Sequence, residues 1–248
     1  MSNTFTDTQN IKHQFSKNII GYNMKLLSEI PIIDPPHNDS IQTQNEIDEL
    51  IMLQKNRKAD DVSHIKNQIN LDNTIIKYFG ITNENIANII GEFIMSMEGL
   101  IMSIKLYHNR IRPSYLEPKL KPPIDVPDHP SFPSGHATQA YLIAEILTDK
   151  YPKNAEFNFK VARNIARNRE IAGVHYPSDS EYGRKIAKII AKFYKGINNP
   201  LNQPEVKWLS PYCESDVTCQ NGTQCIEISN DLSKCLWAKQ YYNSNERG

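Results

Sequence analysis

Apolar side chains recur at helical spacing through much of the chain, and the longest series lies between residues 82 and 105. Its inward positions are Ile89, Ile90, Phe93, Ile94, Met97, Leu100, Ile101 and Ile104. Steps of three and four residues place these side chains on one broad helical face. Thr82 or Asn83, followed by Glu84, supplies the polar start that such a helix needs. The pattern predicts a core helix that carries Lys105 at its C-terminal end.

Shorter periodic segments flank this helix, and proline or glycine bounds several of them. Ile33-Asp34-Pro35-Pro36 predicts extended chain, because proline keeps its predecessor out of the helical region. Further helices are predicted over residues 45–58, 71–79, 137–151, 154–172 and 180–195. No useful run alternates with the period of a strand. The sequence therefore predicts an all-α bundle, organised as a lead-in (1–33), a helical domain (34–199) and a loop-rich tail (200–248).

Seven prolines fall between residues 113 and 133, and Pro113 is expected to stop or bend the preceding helix. They are Pro113, Pro118, Pro122, Pro123, Pro127, Pro130 and Pro133. Because both flanking segments carry candidate site residues, this composition predicts an ordered loop over a pocket rather than a linker.

The bulk composition narrows the class of protein. The chain has 248 residues, 39% of them hydrophobic and 23% charged, with a formal net charge of zero. These values are ordinary for a globular protein and do not indicate a nucleic-acid partner. The polar N-terminus lacks the apolar core of a signal peptide, and Glu92 and Glu98 argue against a membrane span across 86–104. We expect a soluble protein without integral membrane association, and a homo-oligomer stays open.

All four cysteines lie in the tail, at Cys213, Cys219, Cys225 and Cys235. Their spacing does not resemble the paired hooks of a zinc site. Two disulfides would indicate an oxidising compartment or assembly into a particle, whereas four reduced thiols would suit the cytoplasm. The sequence leaves the pairing and the location open.

Three basic residues lie next to predicted loops that contain proline or histidine, namely Lys105, Arg112 and Arg169. Arginine suits a phosphate because its planar fork makes paired, charge-assisted hydrogen bonds. The remaining arginines near these segments lack that context and are interpreted as surface charges; they are Arg110, Arg163 and Arg167.

Pro133-Ser134-Gly135-His136 comes directly before a predicted helix. Free N–H groups in a first turn bind anions, Gly135 allows close approach, and Ser134 adds a hydroxyl. In the alternative interpretation Ser134 is an ordinary N-cap with His136 in the first turn.

His175 and Asp179 lie four residues apart, and Pro177 between them excludes an uninterrupted helix. A carboxylate on one ring nitrogen fixes the tautomer and leaves the other nitrogen with a lone pair. His175 is therefore a candidate nucleophile toward phosphorus. The alternative is a buried histidine beside an incidental acid.

Together the segments read K-x6-R-P, P-S-G-H and R-x5-H-x3-D. This pattern resembles the signature of the type 2 phosphatidic acid phosphatase and vanadium haloperoxidase superfamily over about residues 34–195. The stretch 173–179, Gly-Val-His-Tyr-Pro-Ser-Asp, is most similar to the soluble class A nonspecific acid phosphatases. Asn168 stands where that signature has serine, so we expect different packing around Arg169.

The resemblance implies a helical bundle of the acid phosphatase and haloperoxidase type, and a phosphomonoester hydrolase that needs no metal and no cofactor. His175, backed by Asp179, would attack phosphorus, and His136 would protonate the leaving oxygen. Phosphate would be bound by Lys105, Arg112, Ser134, Gly135 and Arg169. Since His136 must be protonated while His175 is neutral, the expected optimum is acidic to near neutral, with vanadate as an inhibitor.

Two alternatives remain. The same residues would bind vanadate as a cofactor in a haloperoxidase. A catalytically silent structural protein, with the cysteine tail as its main functional part, is the other. For the phosphatase, the expected partner is a small soluble phosphomonoester.

Overall fold

The computed structural model describes residues 26, 29–69, 73–196, 200–202, 225–227 and 233–235. Most of the lead-in and the tail, including Cys213 and Cys219, lie outside these residues. The α-helices are α1 (Ile41–Asn56), α2 (Ala59–Asn67), α3 (Asn73–Tyr78), α4 (Glu84–Ser96), α5 (Glu98–His108), α6 (Pro113–Leu116), α7 (Gly135–Lys150), α8 (Ala155–Ile171) and α9 (Pro177–Phe193).

Helix α7 lies at the centre, and the two helices that follow it, α8 and α9, pack along it. Most of its residues are buried, since small alanines and branched side chains cover nearly every face. The contact with α9 is close: a Cβ on Gly183 would lie 2.8 Å from Thr138 Oγ1 and 2.9 Å from the Ser134 carbonyl oxygen. This glycine therefore sets the distance between the two helices beside the N-terminus of α7.

The predicted all-α fold is confirmed for the helical domain. The flanking helices form where the sequence predicts them, with ends that shift by a few residues, although residues 71 and 72 lie outside the described ranges. Two three-residue strands, β1 (Cys225–Glu227) and β2 (Ser233–Cys235), pair antiparallel within the tail. Two short 3-10 segments, Pro152–Asn154 and Pro200–Asn202, complete the described elements.

The long core helix predicted between residues 82 and 105 is broken at Met97 into α4 and α5. The Ser96 hydroxyl donates to the Phe93 carbonyl at 2.6 Å, and the Met97 N–H bonds to Ile94, three residues back. Such local bonds compete with the regular ladder and end a helix. Its predicted start is confirmed, because Asn83 Oδ1 accepts from the Ile86 N–H at 3.1 Å.

Helices α2 and α6 are outside the predicted set. Helix α2 is short and polar, and Ile65 is the residue it buries. Pro113 begins α6 at its first position instead of ending α5, which stops at His108 with Asn109 in the left-handed region (φ 48°). In the described part of the chain, no helix has both the length and the apolar character that a bilayer crossing requires.

Candidate active site

A cavity of about 460 Å³ brings the three predicted segments together. It lies among α5, the first turn of α7, the end of α8 and the proline-rich loop. Six of the eight predicted site residues line it: Lys105, Arg112, Gly135, His136, Arg169 and His175. The other two, Ser134 and Asp179, lie behind the wall.

Lys105 is buried at the end of α5 and is oriented by the proline-rich loop. Its ammonium donates to the carbonyl oxygens of Pro130 (3.0 Å) and Ser131 (3.1 Å). Burial, and then the nearby charge of Arg112, lower the pKa of Lys105 well below its ordinary value. The loop thus places a cation with neutral acceptors and leaves its charge uncompensated by a direct ion pair.

Arg112 is fully buried and is held in a similar way. Its Nε donates to the His129 carbonyl at 2.9 Å, and one terminal nitrogen donates to the Val174 carbonyl at 2.8 Å. The other terminal nitrogen lies 3.2 Å from His129 Nδ1. Burial lowers the pKa of Arg112 to about 10, which leaves the guanidinium charged at neutral pH.

His129, a residue of the proline-rich loop outside the predicted site, also lines the cavity. Its Nδ1 lies 3.2 Å from the Arg112 nitrogen, which can only donate, and also 3.2 Å from the Pro130 carbonyl oxygen, which can only accept. Burial and the charges of Lys105 and Arg112 lower the pKa of His129 to about 4. His129 is therefore neutral near pH 7 and helps to orient Arg112.

His175 lies in the turn between α8 and α9, which Gly173 allows with its positive φ of 74°. Its Nδ1 is 3.2 Å from Asp179 Oδ2, and its Nε2 is 3.4 Å from an Arg112 terminal nitrogen. A carboxylate accepts and a guanidinium donates, so Nδ1 carries the hydrogen and Nε2 the lone pair. Burial lowers the pKa of His175 well below 6.5, against the opposing hydrogen bond of Asp179.

Asp179 is completely buried and accepts from the Tyr176 N–H at 3.0 Å as well. Burial alone would raise its pKa, but the hydrogen bond with His175 and the charge of Arg110 lower the pKa to about 2. The carboxylate is therefore ionised behind the neutral imidazole, which is the arrangement of an activated nitrogen nucleophile.

Arg110, interpreted from the sequence as a surface charge, is buried, so that prediction is wrong. It donates to Asp179 Oδ1 at 2.6 Å and to Ser178 Oγ at 2.7 Å, and its other terminal nitrogen lies 3.2 Å from Glu46 Oε2. The guanidinium carbon is 3.8 Å from the centre of the Tyr176 ring. Arg110 thus holds the outer face of the carboxylate that holds His175.

A signal for Arg110 exists in the sequence. The segment from Asn109 to Arg112 is not helical, and alternate side chains of extended chain point to the same side. Because Arg110 precedes Arg112 by two residues, the prediction that Arg112 lies at the site could have been extended to Arg110. Glu46 and Ser178 were missed for a different reason, since nothing local distinguishes them from surface residues.

His136 lies in the first turn of α7, with its Nε2 at 2.7 Å from the Gln68 carbonyl oxygen. A carbonyl can only accept, so Nε2 carries a hydrogen. Burial and the charge of Arg169 lower the pKa of His136 to about 3, while the carbonyls of Gln68 and Ile69 oppose this shift. The two cavity histidines thus have different neighbours: a carboxylate for one and a neutral carbonyl for the other.

Arg169, at the end of α8, donates to the Ile65 carbonyl at 2.7 Å. Its Nε is buried and has no hydrogen-bond partner among the described residues. Burial lowers the pKa of Arg169 to about 10, so it stays charged. Its neighbour Asn168 donates from Nδ2 to Gln68 Oε1 at 2.9 Å.

The structure places Ser134 in the N-cap role that was the alternative interpretation. Its Oγ accepts from the Ala137 N–H at 3.3 Å, its own N–H donates to the Asp179 carbonyl at 3.0 Å, and its side chain does not line the cavity. Gly135 does line the cavity. The predicted contact of Ser134 with phosphate is thus not prepared in this arrangement, whereas that of Gly135 is.

The cavity has both polar and apolar lining residues. Its apolar lining is formed by Ile69, Met95, Ile101, Met102, Ile124 and Val174, and two carboxylates, Glu98 and Asp125, stand on the exposed rim. Within the described ranges, no three His, Cys, Asp or Glu side chains converge to hold a metal ion. The arrangement suits an anion with an organic group attached.

Comparison with known proteins agrees with this geometry at the level of the superfamily. Residues 87–201 match the sequence profile of the PAP2 superfamily, and all three motifs lie within that range. This part of the chain, just under half of its length, is therefore similar to PAP2 superfamily domains. No curated protein sequence matches the chain.

Among solved structures, the chain is similar to a transmembrane PAP2 type phosphatidylglycerolphosphate phosphatase from Bacillus subtilis. The identity is 16% and the TM-score is 0.43, over 72% of this chain and 95% of that one.

Proposed function

We propose that the protein is a metal-independent phosphomonoester hydrolase that acts through a phosphohistidine on small soluble organic phosphates. One observation carries this proposal: His175, whose Nε2 has its lone pair 3.4 Å from Arg112 and whose Nδ1 is held by Asp179, lines a cavity together with Lys105, Arg112 and Arg169. Phosphoryl transfer depends on positioning and on stabilisation of the equatorial charge, and these residues supply both. The similarity of residues 173–179 to soluble class A acid phosphatases supports the same substrate class.

In the first step the lone pair of His175 Nε2 attacks phosphorus, and the bond between phosphorus and the ester oxygen breaks. His136, protonated in the substrate complex, gives its Nδ1 proton to the departing oxygen and keeps the Nε2 hydrogen that Gln68 accepts. The imidazole of His175 becomes positively charged as it takes the phosphoryl group, and the ionised Asp179 stabilises that charge through Nδ1–H. Lys105, Arg112 and Arg169 bind the phosphoryl oxygens throughout.

In the second step water attacks the phosphohistidine, and His136 accepts a proton from it. The bond between phosphorus and Nε2 breaks, phosphate leaves, and neutral His175 is regenerated. A bound dianion opposes the effect of Arg169 on His136 and so raises the pKa of that histidine toward the working range. The proposal therefore favours an acidic optimum.

Hydrolysis of p-nitrophenyl phosphate from pH 4 to 8 with excess chelator tests the proposal. We expect chelator-resistant activity that vanadate inhibits, and a loss of roughly 10³-fold or more in His175→Ala. The matched control is His37→Ala, which removes a histidine with 82% of its side chain exposed. Trapping after acid-free quenching should place one phosphoryl group on His175.

Strict dependence on a divalent ion would contradict the proposal. Halide oxidation by peroxide after vanadate is added would favour the haloperoxidase interpretation instead. A folded wild type that is inactive in both assays would favour a structural role.

A further inference from the structure

We propose that Gln68, anchored by Asn168, is the positioning residue of His136 and orients it for proton transfer to the leaving group. This inference rests on the proposed function, in which His136 is the acid. It assigns a role to the end of α2, a helix that carries none of the predicted site residues.

Gln68 is almost completely buried and makes two contacts that point in different directions. Its backbone carbonyl accepts from His136 Nε2 at 2.7 Å, and its side-chain Oε1 accepts from Asn168 Nδ2 at 2.9 Å. The carbonyl fixes the tautomer and the ring orientation of His136. The side chain attaches that carbonyl to α8, beside Arg169, which is 100 residues away along the chain.

Two other contacts hold the end of α2 one turn before Gln68. Ile65 is buried in a small apolar cluster with Ala172 and Val174, and its carbonyl accepts from Arg169 at 2.7 Å. Both neighbours of Gln68, Asn67 and Ile69, are exposed. The bond from Asn168 is therefore the contact that acts on the Gln68 side chain itself and helps to keep its carbonyl in place.

The polarity of the helix end agrees with this role. The last carbonyls of a helix lack partners within it and carry a partial negative charge, so they stabilise cations. At α2 these carbonyls serve two groups of the site: Ile65 accepts from Arg169, and Gln68 accepts from His136. The end of α2 therefore favours a protonated His136 while keeping formal negative charge out of the anion site.

Asn168 stands where the superfamily signature has serine. A serine hydroxyl is shorter than the asparagine amide and would not reach Gln68 Oε1 from the same backbone position. Asparagine at position 168 thus has a structural role in this chain, since its longer side chain forms the bond to Gln68 that serine would not form.

A displaced acid matters most when the leaving group is poor. An alkoxide needs its proton in the transition state, whereas p-nitrophenolate leaves readily without one. The first experiment therefore compares kcat/KM for β-glycerol phosphate and p-nitrophenyl phosphate. This parameter covers the steps up to formation of the phosphoenzyme, which is where His136 acts as an acid.

The variants are Gln68→Ala, Asn168→Ala and the double substitution, with Asn67→Ala as control because it removes an exposed amide one residue earlier on α2. We expect roughly 10–100-fold losses on β-glycerol phosphate, typical of residues that orient a reacting group. The loss on p-nitrophenyl phosphate should be much smaller. The double variant should be no worse than the poorer single variant, since both remove the same bond. Equal losses on both substrates, or additive losses, would overturn the proposal.

Nitrogen-15 NMR of the His136 ring gives a second readout that needs no turnover. Wild type should show the Nε2–H tautomer, and Asn168→Ala should show a mixture while the rest of the spectrum is retained. An unchanged tautomer in a folded Asn168→Ala would refute the tether. A wild type that hydrolyses neither ester would refute the proposed function separately, and the NMR result would still decide on the tether.

Discussion

The two histidines of the cavity differ in the charge of the groups that surround them. His175 is backed by a carboxylate that is itself paired with a buried arginine, and behind that arginine lies Glu46. His136 is backed by the neutral carbonyl of Gln68, whose side chain bonds to Asn168, and no carboxylate among the described residues forms a hydrogen bond or ion pair with it. The chain thus concentrates negative charge behind His175, whereas the formal charge near His136 is the positive charge of Arg169.

The proposed roles explain this difference. A nucleophilic ring becomes a cation as it takes the phosphoryl group, and it stays one until water arrives, so a fixed anion stabilises it. A proton donor must gain and lose its proton within one cycle, and a carboxylate partner would hold that proton too firmly. A carbonyl orients the ring and biases its charge only weakly.

The buried charges behind His175 also have a cost in stability. Two carboxylates, Asp179 and Glu46, share Arg110, and all three are largely buried. Ser178 adds its N–H and hydroxyl to Glu46, at 3.1 and 2.8 Å. Removing any charged member leaves another desolvated without its partner.

The largest effect should follow from Asp179→Asn. An amide in place of the carboxylate cannot stabilise the positive ring, and it favours the wrong tautomer of His175. We expect kcat/KM on p-nitrophenyl phosphate to fall by about 10³–10⁴-fold. Glu181→Gln, an exposed change on the same helix, is the control and should retain activity. A loss of less than about tenfold in Asp179→Asn would contradict the proposal that the Asp179 carboxylate stabilises the charged ring of His175.

The next effect is on stability. Arg110→Met should lower the free energy of unfolding by about 3–5 kcal/mol, because it leaves Asp179 and Glu46 buried without their cation. Urea denaturation measures this change. Arg163→Met, at an exposed position of α8, should stay within about 0.5 kcal/mol of wild type. Equal effects of the two substitutions would contradict the conclusion that Arg110 is a buried partner of Asp179 and Glu46.

The smallest expected effect concerns how stability depends on pH, which differs between His136 and Asp179. The pKa of His136 falls from 6.5 to about 3 on folding, because burial and Arg169 disfavour its charged form. Between these values the unfolded chain binds the proton and the folded protein does not, so stability falls as the pH drops. The pKa of Asp179 falls from 3.8 to about 2, despite burial, through His175 and Arg110. Its contribution is present above pH 3.8 and is lost only as the pH falls toward 2.

His136→Gln should therefore flatten the dependence of unfolding free energy on pH between 6 and 4 by about 1.4 kcal/mol per pH unit. Urea melts at several pH values measure the slope. Asn67→Ala, an exposed change that removes no ionisable group, is the control, and its slope should match wild type over that window. An unchanged slope in His136→Gln would show that this histidine is not held neutral by the fold.

The sequence predicts most of the residues that the structure brings to the cavity, because their spacing is specific. Lys105, Arg112 and Arg169 were chosen for their setting among loops and histidines, and all three line the cavity. Arg110 was missed, despite its position two residues before Arg112, because charge alone favours the surface and the sequence does not show that α5 ends at His108. Gln68 could not be found, since it acts through a backbone carbonyl that every residue possesses.

The break at Met97 has a similar cause. Apolar spacing persists across residues 96–98, so periodicity shows one continuous face where the backbone has two helices. Ser96 decides the outcome through a single hydrogen bond to Phe93. Local side-chain bonds of this kind leave no mark on a hydrophobic pattern.

The carbonyls that orient Lys105 and Arg112 have a consequence for the protein as a whole. Neutral acceptors hold these cations without cancelling their charge, so an anion of the right shape completes the electrostatic balance of the folded state. A ligand that binds the folded chain and not the unfolded one raises stability by mass action. The fold should therefore be most robust where phosphate is abundant, and a starved environment would leave the same molecule closer to its unfolding threshold.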